Sequence, residues 1–270
     1  MYTHDDRYLL HKMKRRHLIR YAGVTLLSAI GTAWSSEFQL IQAQTGGSLS
    51  LQWLGHSCFL FAANNQRILV NPFRNVGCTA RYRRPNVPSD VVLISSQLFD
   101  EGAVEVVPGN PQIFYQPGVY KWQGIQYQGI SINHDRVGGR RFGTNIAWRW
   151  SLGGMNILHL GGAAAPIEIE QKILMGRPDV LLIPVGGGPK AYGPQEAKQA
   201  IDILNPKLVI PTQYRTQGAD SASCDIAPVD EFLSLMAGTS VSNVGSDTLR
   251  ISTADLPANG SAIRVFSYKF

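Results

Sequence analysis

The feature that most limits the fold of this 270-residue chain is a short apolar run that stops abruptly in a polar loop. Residues 91–94 read VVLI and are bounded by polar residues on both sides, which predicts a buried β-strand. The loop after this strand ends with Asp100 and Glu101 and also carries Ser96 and Leu98. We interpret this strand and its loop as the centre around which the other elements are arranged.

The first 43 residues have the layout of an export signal. A basic run at residues 14–20 contains paired arginines, an apolar stretch follows at 21–30, and Ala43 offers a small residue for cleavage. This layout predicts a Tat-type signal peptide (1–43) and a single domain (44–270), exported by the Tat translocase to a periplasm or a thylakoid lumen. The apolar stretch is shorter than the ~20 residues that span a bilayer, so no stable membrane anchor is expected after cleavage. Translation could start at Met1 or at Met13.

Charge does not favour a nucleic-acid partner. The leader holds six of the 25 Lys and Arg and three of the 19 Asp and Glu, which leaves residues 44–270 with a net charge of only +3. The remaining arginines cluster locally, at Arg74, Arg81, Arg83 and Arg84 and again at Arg140 and Arg141. Such clusters are typical either of a solvated surface or of a rim that attracts anions to a pocket.

The order of elements predicts an α/β protein. The first half is rich in short alternating strands: a hairpin at 48–61, a strand at 67–71, a long loop at 73–89, and strand segments between 113 and 160. In the second half, helices at 166–175, 194–204 and 227–236 alternate with strands at 179–185 and 207–211, and strands at 249–253 and 263–268 close the chain. Sheet-rich segments followed by strand–helix units indicate an α/β sandwich.

Four sequence blocks resemble one known family. They read WLGHSCF at 53–59, ILVNPF at 68–73, an apolar strand followed by glycines at 179–188, and NPKLVIPTQY at 205–214. The blocks are similar to those of metallo-β-lactamase-fold metal-dependent hydrolases, in the branch of the L-ascorbate-6-phosphate lactonases. The resemblance implies an αββα metallo-β-lactamase-fold sandwich with its site on the loops at one edge.

The resemblance also assigns the family's metal-ligand positions. The HxHxDH motif falls on Ser96, Leu98, Asp100 and Glu101, the next ligand histidine on His134, the bridging aspartate on Gly162, and the final histidine on Gln213. Only Asp100 and His134 keep the family's residue type. A catalytic zinc site needs about three protein ligands and an open position. We therefore expect no metal, with one weakly held divalent ion on Asp100, Glu101 and His134 as the alternative.

These substitutions predict a protein without the family's classical chemistry. The leading hypothesis is a catalytically inactive homologue that binds a small anionic ligand or a protein partner, with Asn71, Arg74, Arg81 and Tyr214 around the pocket. The alternative is a hydrolase of lactones or phosphoesters with a reduced, mononuclear site, so the sequence leaves open whether the chain is an enzyme. Serine catalysis by Ser95 or Ser96 is weakly indicated because no GxSxG elbow is present. His56 and His159 are expected to be buried structural histidines.

The expected pairing of the cysteines follows from the same resemblance. On the family fold, the loops that carry Cys78 and Cys224 border the same mouth, which implies a disulfide between them. Three free thiols are the alternative. Cys58 lies on an apolar strand and is expected to be a buried thiol.

Overall fold

Two β-sheets form the frame of the computed structural model, which describes residues 47–220 and 222–270. The predicted leader, residues 1–43, lies outside the described residues. The first sheet has six strands in the order β13-β1-β2-β3-β4-β5. Its strands are β1 (Leu49–Gly55), β2 (Cys58–Ala63), β3 (Gln66–Val70), β4 (Val91–Leu93), β5 (Gln112–Phe114) and β13 (Thr248–Ile251).

The second sheet has eight strands in the order β12-β14-β11-β10-β9-β8-β7-β6. They are β6 (Gly118–Trp122), β7 (Ile125–Asn133), β8 (Thr144–Leu152), β9 (Met155–His159), β10 (Val180–Pro184), β11 (Leu208–Thr212), β12 (Ser240–Asn243) and β14 (Ala262–Val265). β6 to β9 are antiparallel neighbours, whereas β9, β10, β11, β14 and β12 run parallel.

The strand pattern of the first sheet follows directly from the sequence. In β1, Leu49, Leu51 and Trp53 are buried while the residues between them are partly exposed. β2 and β3 are joined at Asn64 and Asn65, which both have positive φ angles (52° and 62°). Asparagine tolerates this conformation, and tight hairpins require it at both central positions. This hairpin sets the register of the sheet.

Large aromatic side chains hold the two sheets together. Phe61 of β2 and Trp150 of β8 meet edge to face with ring centroids 5.0 Å apart. The indole N–H of buried Trp148 donates to the Ile94 carbonyl at 2.9 Å, which ties β8 to the end of β4. Each such buried aromatic stabilises the fold by about 1.5–3 kcal/mol relative to its exposed state. The interface between the sheets is therefore the core.

Three α-helices connect the parallel strands of the second sheet: α1 (Ile169–Met175), α2 (Pro194–Leu204) and α3 (Val229–Leu235). α2 begins with Pro194 in its first turn, and its C-cap Asn205 has φ 47°. α1 and α3 are shorter than the sequence predicted, and β12 was not predicted. In the described ranges, no helix is long and apolar enough to cross a membrane.

The predicted fold class is confirmed, since the chain is a mixed α/β sandwich of two sheets. Between residues 47 and 168 the structure contains only two single 3-10 turns, Gly77–Thr79 and Val104–Val106, besides strands and loops. The α-helices of the described residues therefore all belong to the half of the chain that builds the second sheet.

The predicted disulfide is also confirmed. Cys78 and Cys224 are bonded, with their Cα atoms 4.7 Å apart and a sequence separation of 146. The bond joins the long loop after β3 to the loop after β11. Cys58 is a free, fully buried thiol whose pKa is raised by burial.

Candidate functional site

The residues that the resemblance assigns to the family's metal positions lie at the ends of four strands. Ser96 follows β4, His134 follows β7, Gly162 follows β9, and Gln213 follows β11. β7, β9 and β11 point in the same direction in the second sheet, so their carboxyl ends meet at one edge. The backbone N–H of Ile146 in β8 donates to the Ser95 carbonyl at 2.8 Å and brings the loop after β4 to that edge.

Glu101 is the centre of this group. Its side chain is fully buried, and its carboxylate accepts hydrogen bonds from Ser96 Oγ at 2.7 Å and from the side-chain amide of Gln213. His134 Nε2 lies 3.5 Å from Glu101 Oε2 and is also fully buried. A buried carboxylate is stable only when polar partners replace its lost hydration. Three of the family's metal-ligand positions, Ser96, His134 and Gln213, surround the Glu101 carboxylate in this way.

Gly162, at the position of the family's bridging aspartate, leaves room for this arrangement. A Cβ added to Gly162 would overlap both Glu101 Oε1 and His134 Nε2. The Gly162 backbone N–H donates to Asn145 Oδ1 at 2.8 Å, which fixes the loop in place. An aspartate at residue 162 and the observed placement of Glu101 are therefore sterically incompatible.

The residues present do not fit the family's two-metal centre. Leu98 offers no lone pair, Gly162 has no side chain, and the Glu101 carboxylate is already engaged by Ser96 and Gln213. Among the described residues, no group of three or more His, Cys, Asp or Glu side chains is arranged to hold a metal ion. A zinc centre requires about three such ligands and one free position.

Asp100 belongs to a separate charged group. Its Oδ2 lies 2.5 Å from Lys190 Nζ and 3.6 Å from His56 Nε2, and its side chain is 16% exposed. Desolvation alone would raise the pKa of Asp100. The neighbouring His56 and Lys190 outweigh it and hold the pKa of this carboxyl well below its usual range. Asp100 is consequently an ionised partner of Lys190.

Two openings flank these groups. A cavity of about 110 Å³, which we call the charged cavity, is lined by His56, Asp100, Lys190, Gln213 and Asp225, with Cys78 of the disulfide at its wall. A wider groove of about 340 Å³ is lined by Ser95, Ser96, Tyr115, Phe142 and Thr144. Phe142 lines both openings, so its ring is their shared wall.

The loop that carries Phe142 is held by Asp135. The Asp135 carboxylate accepts four backbone N–H groups, from Val137, Gly139, Arg141 and Phe142, at 2.8–2.9 Å. Desolvation acts against the charged form, but these four hydrogen bonds lower the pKa of Asp135 to about 2. The loop is thereby pre-organised around one carboxylate.

Arg136 fixes the opposite wall of the charged cavity. Its guanidinium pairs with Glu196 of α2 and donates to the carbonyls of Gly188 and Ala191 at 2.9 and 3.0 Å. These carbonyls belong to the glycine-rich segment that also presents Lys190. No sequence pattern indicated Arg136, Phe142 or Lys190. The partners of Arg136 and Lys190 are more than 50 residues away in the chain, and Phe142 is recognised only by the two openings that it lines.

The predicted rim residues are placed differently from one another. Arg74 is exposed, pairs with Glu105 and lies over the Phe99 ring at 4.5 Å, and Arg81 is exposed but lines neither opening. Asn71 is fully buried, and its Oδ1 accepts the Ser95 N–H at 2.9 Å. Tyr214 is 7% exposed and packs against Trp53. Asn71 and Tyr214 therefore support the site from within and do not form a rim.

The two remaining histidines differ as well. His159 is fully buried between the Ser57 carbonyl, 3.0 Å from Nε2, and the Gly161 N–H, 3.0 Å from Nδ1. Burial lowers the pKa of His159 to about 4. His56 is 4% exposed but lines the charged cavity beside Asp100, and its backbone has φ 53°. Non-glycine residues in this region are uncommon and cluster at functional sites.

Comparison with known proteins decides the family. The sequence model of the beta-lactamase superfamily domain matches residues 50–213, which is more than half of the chain. The chain belongs to this superfamily. All four strand ends that build the site lie inside or at the end of the matched range.

Several relatives within the superfamily are named metal-dependent hydrolases. A UPF0173 metal-dependent hydrolase of Thermococcus onnurineus is 25% identical over 193 residues, covering 62% of this chain and 85% of the relative. A UPF0173 metal-dependent hydrolase of Thermus thermophilus is 25% identical over 195 residues, covering 62% and 84%. A crystal structure from Thermotoga maritima, described as that of a proposed Zn-dependent hydrolase of the metallo-beta-lactamase superfamily, has 29% identity and a TM-score of 0.64. It covers 81% of this chain and 100% of that one.

Proposed function

We propose that this superfamily member works without the two-metal centre and is a binding protein for a small polar ligand in the charged cavity. The observation that carries the proposal is that Glu101 and His134, as they are placed, fill the space that a Cβ at residue 162 would need. Ser96 and Gln213 donate to the Glu101 carboxylate, and His134 Nε2 lies 3.5 Å from it without a hydrogen bond, so Glu101 occupies the space between the assigned ligand positions. The degenerate motif read from the sequence agrees with this interpretation.

The lining of the charged cavity favours a small polar ligand that donates hydrogen bonds, because Lys190 is already paired with Asp100 and Asp225 adds a second carboxylate. Lys190 is a cation at the wall, while Asp100 and Asp225 are acceptors beside it. At about 110 Å³ the cavity suits only a small molecule. The sequence also predicted a protein partner as an alternative to a small ligand, and we keep that alternative as a proposal. The resemblance to the lactonase branch stays a prediction, since the relatives' names mention no lactonase activity.

A specific observation also keeps a metal-dependent function as the second candidate. Several relatives are named metal-dependent hydrolases, and His134 Nε2 lies 3.5 Å from Glu101 Oε2. The sequence placed a single divalent ion on Asp100, Glu101 and His134. Because Asp100 is paired with Lys190, we propose that Gln213 would take its place beside Glu101 and His134.

Elemental analysis distinguishes the two. We expect the full-length chain, purified without chelator or nickel affinity resin, to contain less than about a tenth of an equivalent of any transition metal. Near one equivalent in the wild type, lost in His134→Ala and retained in His56→Ala, would overturn the metal-free proposal and favour the hydrolase.

We also propose export through the Tat route, with cleavage after Ala43. The Cys78–Cys224 bond supports this proposal because structural disulfides persist in oxidising compartments and are rare in reducing ones. Mass spectrometry of the protein recovered after expression with a functional Tat system is expected to find a chain that begins at residue 44. A chain that retains its leader and stays in the cytoplasm would contradict the proposal.

A further inference from the structure

A second groove lies on the outer face of the six-stranded sheet, away from the residues described above. It has a volume of about 390 Å³ and is lined by Ser48, Ser50, Ala62, Asn64, Arg67 and Arg250, together with Ala63, Asn65 and Gln66. None of these residues carries a negative charge. The groove therefore combines two cations with hydroxyl and amide groups.

Strand register explains why the two arginines face each other. Arg250 of β13 lies opposite Ser50 of β1, Ser50 lies opposite Ala62 of β2, and Ala62 lies opposite Arg67 of β3. Directly opposed residues project from the same face of a sheet, so the four side chains form one row. The row places the arginines three strand spacings apart, roughly 14 Å between their backbones. The small side chains of Ser50 and Ala62 leave the space between them open.

The neighbouring row on the same face of the sheet is apolar and buried. Leu60 of β2 and Leu69 of β3 are directly opposed and are 6% and 0% exposed. The row with the arginines is open, and both arginines are exposed. Within the described ranges neither guanidinium forms an ion pair, and Asp90 is used by the backbone N–H of Arg67 at 2.7 Å.

We propose that this groove binds a small molecule with two anionic groups, of the diphosphate type. Each arginine can take one anionic group through parallel N–H donors, which is the geometry that guanidinium groups favour. Ser48, Ser50 and Asn64 supply further donors along the floor and end of the groove. The proposal is independent of the charged cavity and of the presence of a metal.

The test uses pyrophosphate as the probe and inorganic phosphate for comparison, by calorimetry on the full-length chain in low-salt buffer. We expect pyrophosphate to bind at least about fivefold more tightly than phosphate, because two charge-assisted contacts replace one. Amide resonances of Ser50, Ala62 and Asn64 should shift in heteronuclear NMR spectra. The variants Arg67→Gln and Arg250→Gln should each weaken pyrophosphate binding by roughly five- to tenfold.

Arg83→Gln is the matched control, since Arg83 is exposed and does not line the groove. It removes the same charge and should leave affinity unchanged. An equal loss of affinity in Arg83→Gln would show that only the overall charge attracts the probe, and the proposal would be wrong. Absence of binding to the wild type, or resonance shifts confined to another face, would also overturn it.

Discussion

Glu101 and Gly162 are sterically coupled, because the Glu101 carboxylate and the His134 ring occupy the space that a Cβ at residue 162 would need. The family resemblance assigns Glu101 to the last histidine of the HxHxDH motif and Gly162 to the bridging aspartate. The two substitutions are thus complementary: the smaller residue at 162 makes room for the carboxylate that comes from 101. Residues that the resemblance assigns as replaced ligands therefore contact one another around the Glu101 carboxylate.

The coupling predicts a non-additive pair of substitutions. Gly162→Ala should lower the free energy of unfolding by about 1–3 kcal/mol, the usual cost of overpacking a closed site. In a Glu101→Ala background, Gly162→Ala should lower the free energy of unfolding by clearly less, since the overlapping carboxylate is gone. Urea denaturation of the four proteins of the cycle measures this, and strictly additive losses would contradict the steric relationship.

The hydrogen bonds to the Glu101 carboxylate predict that its charge stabilises the folded protein. Glu101→Gln keeps the shape but removes the charge that Ser96 and Gln213 stabilise, so we expect a loss of about 1.5–3 kcal/mol in the free energy of unfolding. Glu105→Gln is the matched control, since Glu105 is 49% exposed and pairs only with Arg74. It should change stability by less than about 1 kcal/mol. Equal effects of the two variants would show that Glu101 is not stabilised by its buried partners.

The disulfide predicts a redox-dependent stability. Cys78 and Cys224 close a loop of 146 residues, for which the chain-entropy relation gives about 5 kcal/mol. Thermal unfolding of the Cys78→Ser/Cys224→Ser double variant should occur at a lower temperature than that of the oxidised wild type. Adding a reductant should lower the wild-type transition towards that of the variant and leave the variant unchanged. An unchanged wild type under complete reduction would contradict this role.

His159 predicts a pH dependence between about 6.5 and about 4. Burial lowers its pKa to about 4, so in this window the unfolded chain binds a proton that the folded chain does not. Stability contributed by neutral His159 is fully present above pH 6.5 and is lost as the pH falls towards 4. The loss reaches about 3 kcal/mol for one histidine.

Denaturant titrations of the wild type and His159→Gln at several pH values test this prediction. The variant should be less stable at neutral pH, because its contacts to the Ser57 carbonyl and the Gly161 N–H are altered. Its stability should nevertheless fall less steeply between pH 6.5 and 4. Parallel pH profiles would assign the acid sensitivity to other groups.

Much of the fold could be predicted because it depends on local pattern. The alternation of Leu49, Leu51 and Trp53, the run at 91–94 and Pro194 at the start of a helix are each visible in a few residues. β12 could not be predicted, since Ser240–Asn243 is polar, exposed and pairs only with β14. The burial of Asn71 and Tyr214 could not be predicted either, because both are polar residues whose partners come from other strands.

The sequence by itself determined the class of the fold and, through its family resemblance, the disulfide pair; the assignment of residues to the family's metal positions stays a prediction of that resemblance. Only the tertiary structure decided what those residues do together. Glu101 meets Gln213 across 112 positions in the chain, and Lys190 meets Asp100 across 90. Such contacts depend on how two sheets and their loops close on one edge, and that closure is the sum of many packing interactions that no short stretch of sequence contains.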